Sequence, residues 1–196
     1  MMKTRIERDS LLSLEAYARQ RKEFRAKVLA HKKNRTLQLG EHVTLIFEDE
    51  LTVRYQIQEM LRIEKTFEEE GIQSELDAYT PLIPDGSNLK ATMMIEYEDP
   101  VARAAALSRL RGVEGRVYVQ VDGTARVYAI ADEDLERENE QKTSSVHFLR
   151  FEFGPDSIAA FRRGAAVAVG IDHPEYAVRV DVIAPQVQGA LARDFH

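Results

Sequence analysis

The apolar positions of this chain change period several times, and each change marks an element. Leu14, Tyr17, Phe24 and Val28 recur at spacings of three, seven and four, the thin stripe of a helix that packs against a body. Asp9-Ser10 precede the helical pattern and Ser13 is a second candidate N-cap with Glu15 in the first turn, so this helix is expected over about 13–33. Arg35 to Leu39 alternates weakly, Gly40-Glu41 reads as a turn, and His42–Phe47 is β-branched and aromatic. Those two runs predict a hairpin. Val53, Ile57, Met60, Leu61 and Phe67 then share one face of a 3.6-residue period. They predict the clearest helix, Leu51 to Glu70, with Asp49 as N-cap and Gly71 as its stop. A second helical stretch, Gln73–Tyr79, runs into the turn-rich loop Pro81–Asn88.

Beyond that loop the pattern mixes short strands and short helices. Leu89–Tyr97 reads as a strand, and Asp99-Pro100 is an N-cap with proline at the first helical position, opening a helix to about Arg111. Arg116–Val121 and Arg126–Ala131 flank the turn Asp122-Gly123. The acidic run Asp132–Gln141 is expected to be helical. Val146–Phe153, Ala165–Ile171 and Ala177–Ile183 are further strands, with helices from Pro155 to Arg163 and from Pro185 onward. Alternating strands joined by hairpins or short helices indicate an α+β fold: a mainly antiparallel sheet with helices packed on it, preceded by a long basic N-terminal helix. The 196 residues are expected to form a single domain, 1–196, with any subdivision at the Pro81–Asn88 loop separating sub-lobes 1–80 and 89–196.

Composition then removes whole classes. Cysteine is absent, which excludes a disulfide framework, a thiolate nucleophile and Cys-ligated zinc or iron–sulfur centres. The first 30 residues lack the apolar run of a signal peptide, and no long apolar stretch exists, so a cytoplasmic protein without membrane contact is expected. The net charge of −6 is uneven. Residues 1–40 carry 11 Lys or Arg against 4 Asp or Glu, a surplus of +7, while the remainder carries −13. A basic arm for nucleic acid is one reading. A basic helix docked on an acidic body is the simpler one, and no nucleic-acid partner is expected.

Candidate chemistry concentrates in few places. Arg54, Gln58 and Arg62 recur every four residues and form one polar stripe, with Glu59 and Tyr55 beside it. Two planar guanidinium groups bracketing a glutamine suit a carboxylate, a phosphate or a partner surface. They equally suit ties from the helix to its own neighbouring loops. Asn88 and Lys90 follow the Pro84-Asp85-Gly86 turn and add anion-binding groups without the glycine spacing of a phosphate loop. The histidines are His31, His42, His147, His173 and His196, and none forms a short-spaced metal-ligand pair. His42 and His147 are weak metal candidates should they meet across a sheet; otherwise no metal and no cofactor is expected. Neither a G-x-S-x-G elbow nor a Cys–His pair exists, so no catalytic residue is assigned and an enzyme is the less favoured reading.

Three runs resemble one uncharacterised bacterial family of about this length, carrying only a domain-of-unknown-function label. They are Thr52-Val53-Arg54-Tyr55-Gln56-Ile57-Gln58-Glu59-Met60-Leu61-Arg62-Ile63-Glu64; Leu76–Tyr79 through Pro84-Asp85-Gly86-Ser87-Asn88-Leu89-Lys90-Ala91-Thr92; and Lys142-Thr143 through Val146-His147-Phe148-Leu149-Arg150. The resemblance implies genomic company with rubrerythrin-like and iron–sulfur oxidoreductase genes. Without cysteine or clustered histidine, the implied role is a non-catalytic accessory protein, compatible with a homodimer, that docks to or stabilises such a redox partner. The alternative is a small-molecule or anion-binding protein, or an enzyme. Its pocket would lie beside the 51–70 helix, drawing on Arg54, Gln58, Glu59, Arg62, Asn88, Lys90 and His147.

Overall fold

The computed structural model describes residues 5–134, 137–139 and 141–196. The first eighty residues carry three helices, α1 (Leu14–Lys32), α2 (Glu50–Glu64) and α3 (Glu69–Tyr79), with two strands between α1 and α2. Ser13 caps α1 by accepting from the Ala16 N–H, and Asp49 and Thr52 close a reciprocal capping box on α2. With the segment around Ile6 and Leu11, α2 and α3 bury Val53, Ile57, Leu61, Ile72, Leu76 and Ile83 in a small core of their own.

The strands fall into two antiparallel sheets, not the single sheet expected. β1 (Thr36–Leu39), β2 (Val43–Phe47), β3 (Asn88–Ile95), β7 (Val146–Glu152) and β6 (Ile130–Ala131) form a five-stranded sheet in that order. β5 (Val127–Tyr128), β4 (Val117–Val121), β8 (Val167–His173) and β9 (Tyr176–Val180) form a four-stranded one. Both contribute to the main core. Leu45, Met93, Leu149 and Phe151 come from the first sheet and Val119, Val121, Val169 and Ile171 from the second. α4 (Pro100–Arg109), α5 (Pro155–Arg162) and α6 (Pro185–Leu191) complete it with Leu107, Phe161 and Leu191. At Ala129 the chain steps from one sheet to the other, its N–H donating to the Val117 carbonyl at 2.8 Å. A tie at the opposite end comes from Tyr176, whose hydroxyl donates to the Leu39 carbonyl and accepts from the His42 N–H. Gly40 makes that tie possible: its φ is +69°, and a Cβ there would sit 2.5 Å from the Tyr176 oxygen.

Two expected helices are corrected. α2 ends at Glu64, six residues early, where Lys65 turns left-handed at φ +55° and the Lys65 and Thr66 N–H groups both close on the Leu61 carbonyl. Phe67, counted in the apolar stripe, is therefore 74% exposed. Gly71 is not a stop but lies inside α3, where a Cβ would meet Thr66 Cγ2 at 2.5 Å. Close approach, not helix termination, is why glycine stands there. Within Asp132–Gln141, no described residue is helical; Leu135, Glu136 and Glu140 lie outside the described residues. Asp132 does not cap a helix because its carboxylate turns back onto β7, accepting from the Phe148 N–H at 3.0 Å. No described helix is long and apolar enough to cross a membrane.

Candidate functional site

The arginine stripe of α2 is held inward, by the chain itself. The Arg54 guanidinium donates to Glu50 at 2.8 Å and to the carbonyl and hydroxyl of Ser10 at 2.8 and 3.0 Å. Gln58, 2% exposed, reads both backbone groups of Leu12, accepting from its N–H at 2.8 Å and donating to its carbonyl at 3.3 Å. Glu59 gathers the Tyr17 hydroxyl at 2.7 Å, Arg21 at 2.8 and 2.9 Å, and Arg62 at 3.2 Å. The Arg21 hydrogen bonds, above all, hold the Glu59 carboxyl down at about 2, against the opposing effect of its burial. Burial and the Glu59 carboxylate push the Tyr17 phenol up. These groups thus strap residues 8–12 and α1 onto α2, and their hydrogen-bonding capacity is largely consumed there.

The other residues of the expected pocket lie elsewhere. Asn88, the first residue of β3, donates to Glu152 at 3.2 Å. Lys90 donates to the Pro81 carbonyl at 2.5 Å and lines a small pocket of about 80 Å³ with Glu133 and Arg150. Its burial lowers the ammonium pKa. His147 faces the inter-sheet side of β7. His42 sits before β2, stacked on Tyr97 with ring centroids 3.8 Å apart, and shares no partner with His147. The seven residues do not converge on one cavity.

A cleft does exist beside α2, built from residues that no sequence pattern singles out. The outer face of the five-stranded sheet supplies Ile46, Thr92, Met94 and Phe148, while α2 and the turn after α3 supply Thr52, Val53, Tyr79 and Leu82, around about 250 Å³. Alternation places these strand residues opposite the inter-sheet core: Ile46 pairs with Thr92, and Thr92 with Phe148. Glu48 stands at the end of β2 as part of this lining. Only 9% exposed, it accepts from the Thr92 hydroxyl at 2.7 Å and the Thr52 hydroxyl at 2.5 Å. The Thr52 oxygen also accepts from the Asp49 N–H, so the α2 capping box fixes Glu48 as well. No lysine, arginine or histidine among the described residues reaches Glu48 within salt-bridge distance. Lys32, on the same cleft, is not paired with it.

Behind Glu48 sits a buried guanidinium. Arg35, 1% exposed, donates to the carbonyls of Phe47 and Glu48 at 2.8 and 3.0 Å and pairs with Asp194 near the C-terminus. Asp49 lies 3.4 Å from it and is itself held by His31 at 2.5 Å. Burial pushes the Asp194 carboxyl up to about 6, outweighing the attraction of Arg35.

A second cluster surrounds His147, which is fully buried. Its Nδ1 is 2.6 Å from Asp132, and its Nε2 is 2.9 Å from the Thr143 hydroxyl, 3.0 Å from the Ser144 carbonyl and 3.8 Å from Glu114. Asp132, at φ +52°, is also held by Arg137, whose guanidinium lies over the Phe148 ring.

Known proteins add a family but no chemistry. The chain is similar to a protein of unknown function from Burkholderia pseudomallei, seen in a crystal structure at 1.90 Å. The two are 57% identical with a TM-score of 0.94, over 97% of this chain and 99% of that one. No curated protein matches the chain. Residues 5–195 match the family described as proteins of unknown function, DUF3501. The resemblance carried by the three runs is thereby given its place: the chain belongs to the DUF3501 family.

Proposed function

We propose that this is a cytoplasmic small-molecule-binding protein whose cleft beside α2 takes a compact ligand with an apolar body and a cationic or N–H-donating head. One observation carries the reading. Glu48 is a mostly buried carboxylate, positioned by two hydroxyls, without a cationic partner among the described residues, at the edge of an apolar cleft. A charge so placed is costly unless a partner arrives, and a carboxylate can only accept. The complementary ligand therefore brings the donor, as an ammonium or amidinium group would, and lays its body against Met94, Leu82 and Phe148. At about 250 Å³ the cleft suits a metabolite rather than a drug-sized molecule. An anion is disfavoured, because the guanidinium groups that would attract it are engaged along α2.

The test is a thermal-shift and calorimetric survey of arylalkyl amines against the matching carboxylic acids. Amines should raise the melting temperature and acids should not, and Glu48→Gln should weaken amine binding at least tenfold while the circular dichroism spectrum is kept. Binding confined to the acids, or amine binding indifferent to Glu48→Gln, refutes the proposal.

Docking to a rubrerythrin-like or iron–sulfur partner is the second reading, and one observation favours a place for it. Arg19, Lys22, Arg25 and Lys27 are all exposed on α1, outside the strap. Reversing these charges should abolish recovery of an acidic redox partner from native cells. Recovery unchanged by the reversal would end that use of the surface.

A further inference from the structure

We propose that His147, Glu114, Thr143 and the Ser144 carbonyl form a divalent-cation site that pins the loop after β6 to β7, with Asp132 positioning the imidazole. The two ring nitrogens differ in what faces them. Asp132, 2.6 Å from Nδ1, fixes a proton there, because a carboxylate only accepts. In that tautomer Nε2 presents a lone pair to its surroundings. Yet oxygens gather in front of it: Thr143 Oγ1 at 2.9 Å, the Ser144 carbonyl at 3.0 Å and Glu114 Oε2 at 3.8 Å. The threonine proton serves Nε2 or Glu114, which is 3.3 Å away, but not both at once. The Ser144 carbonyl has no proton to offer. When the threonine proton goes to Glu114, the Nε2 lone pair faces a carbonyl oxygen at 3.0 Å with no positive centre between them.

Such a centre is either a second proton on the ring or a metal ion, and Glu114, otherwise unpaired among the described residues, favours the ion. Ligands about 2.0–2.1 Å from a tetrahedral ion stand about 3.3 Å apart. Separations of 2.9, 3.0, 3.3 and 3.8 Å among the four donor atoms bracket that value. Glu114 has no arginine or lysine partner among the described residues, and its side chain is only 13% exposed. A protonated ring would leave that carboxylate 3.8 Å away, whereas a cation among the donors engages it directly. The carboxylate on the far ring nitrogen is the arrangement that orients a metal-binding imidazole. Asp132 is in turn held by Arg137 and the Phe148 N–H. One imidazole with three oxygens suits a first-row divalent ion such as Zn²⁺ or Mn²⁺. With four protein donors and no position left open, such a site is structural.

The test uses the full chain, purified without affinity histidines, stripped with chelator and dialysed against Zn²⁺ or Mn²⁺. One equivalent should bind per chain and raise the melting temperature. Glu114→Gln, or Thr143→Val as a second variant that keeps the shape, should weaken binding at least tenfold, and Asp132→Asn by about 10–100-fold. Failure of the wild-type chain to retain either ion overturns the site. Retention undiminished in a folded Glu114→Gln variant overturns it too, by putting the ion elsewhere.

Discussion

Replacing Asp194 with asparagine isolates the charge behind the cleft. Asp194 is 2% exposed, one of its carboxylate oxygens is buried without a partner, and the other meets Arg35. With its carboxyl raised from 3.8 to about 6, the native state holds a proton that the unfolded chain has already released between those values. Stability from this group is therefore fully present below about pH 4 and is lost as pH rises through 6. A shift of about 2 units corresponds to about 3 kcal/mol over the whole range, at 1.36 kcal/mol per unit. Between pH 5 and pH 7 the same linkage leaves a change of about 1 kcal/mol. The asparagine side chain cannot titrate, so the difference between wild type and Asp194→Asn should move by that amount, with the wild-type advantage smaller at pH 7. Urea unfolding followed by circular dichroism at pH 5, 6 and 7 measures it, and carboxyls remote from Asp194 cancel in the difference. A wild-type advantage that is flat, or that grows toward pH 7, refutes the reasoning: Arg35 would then outweigh burial.

The other predictions concern the helical layer. Gly71→Ala should destabilise by about 1–2 kcal/mol, because its Cβ would meet Thr66 Cγ2 at 2.5 Å, although glycine to alanine within a helix ordinarily stabilises by about 1 kcal/mol. Adding Thr66→Ser removes that methyl and should return the double variant to wild-type stability or above in thermal melts. Glu59→Gln should cost about 1–2 kcal/mol at pH 7, moderated by the exposure of Arg21. Its loss should shrink as pH falls from 4.5 toward 2, since a depressed carboxyl contributes only above its titration range. Proteolysis in the 8–12 segment should accelerate in the same variant and in Gln58→Ala, because these side chains hold the strap.

What is legible in the sequence is what local chemistry decides. Ser13 and Asp49 announce the starts of α1 and α2 through their own side chains, and the β-branched, aromatic run ending at Phe47 announces β2. Sequence and structure part where distant contacts decide. A lysine at φ +55° carries no signature of a helix end, so the apolar stripe of α2 reads straight through Lys65 into Gly71. Asp132 looks like the start of an acidic helix because its true partners, His147 and the Phe148 N–H, come from a strand more than a dozen residues later. The chain changes sheet between β3 and β4, at Ala129 between β5 and β6, and between β7 and β8, and no alternation pattern encodes those crossings.

The site shows the same limit more sharply. Arginines at every fourth position draw attention because spacing is visible, yet spacing fixes only which side chains share a helix face. Whether that face meets a ligand or the chain's own N-terminus depends on where residues 8–12 return, and here they return onto Arg54 and Gln58. Glu48 has the opposite fate. In sequence it is one acidic residue between a strand and an N-cap, indistinguishable from ordinary polar punctuation. It gains its character from Thr92, 44 residues away on β3, from Thr52 on α2, and from Arg35 gripping its backbone from behind. A carboxylate becomes costly, and so informative, only when folding buries it without an opposite charge. Burial and pairing are properties of the assembled layers. A cleft of this kind is therefore found by asking which buried charge lacks a partner, a question that sequence periodicity does not pose.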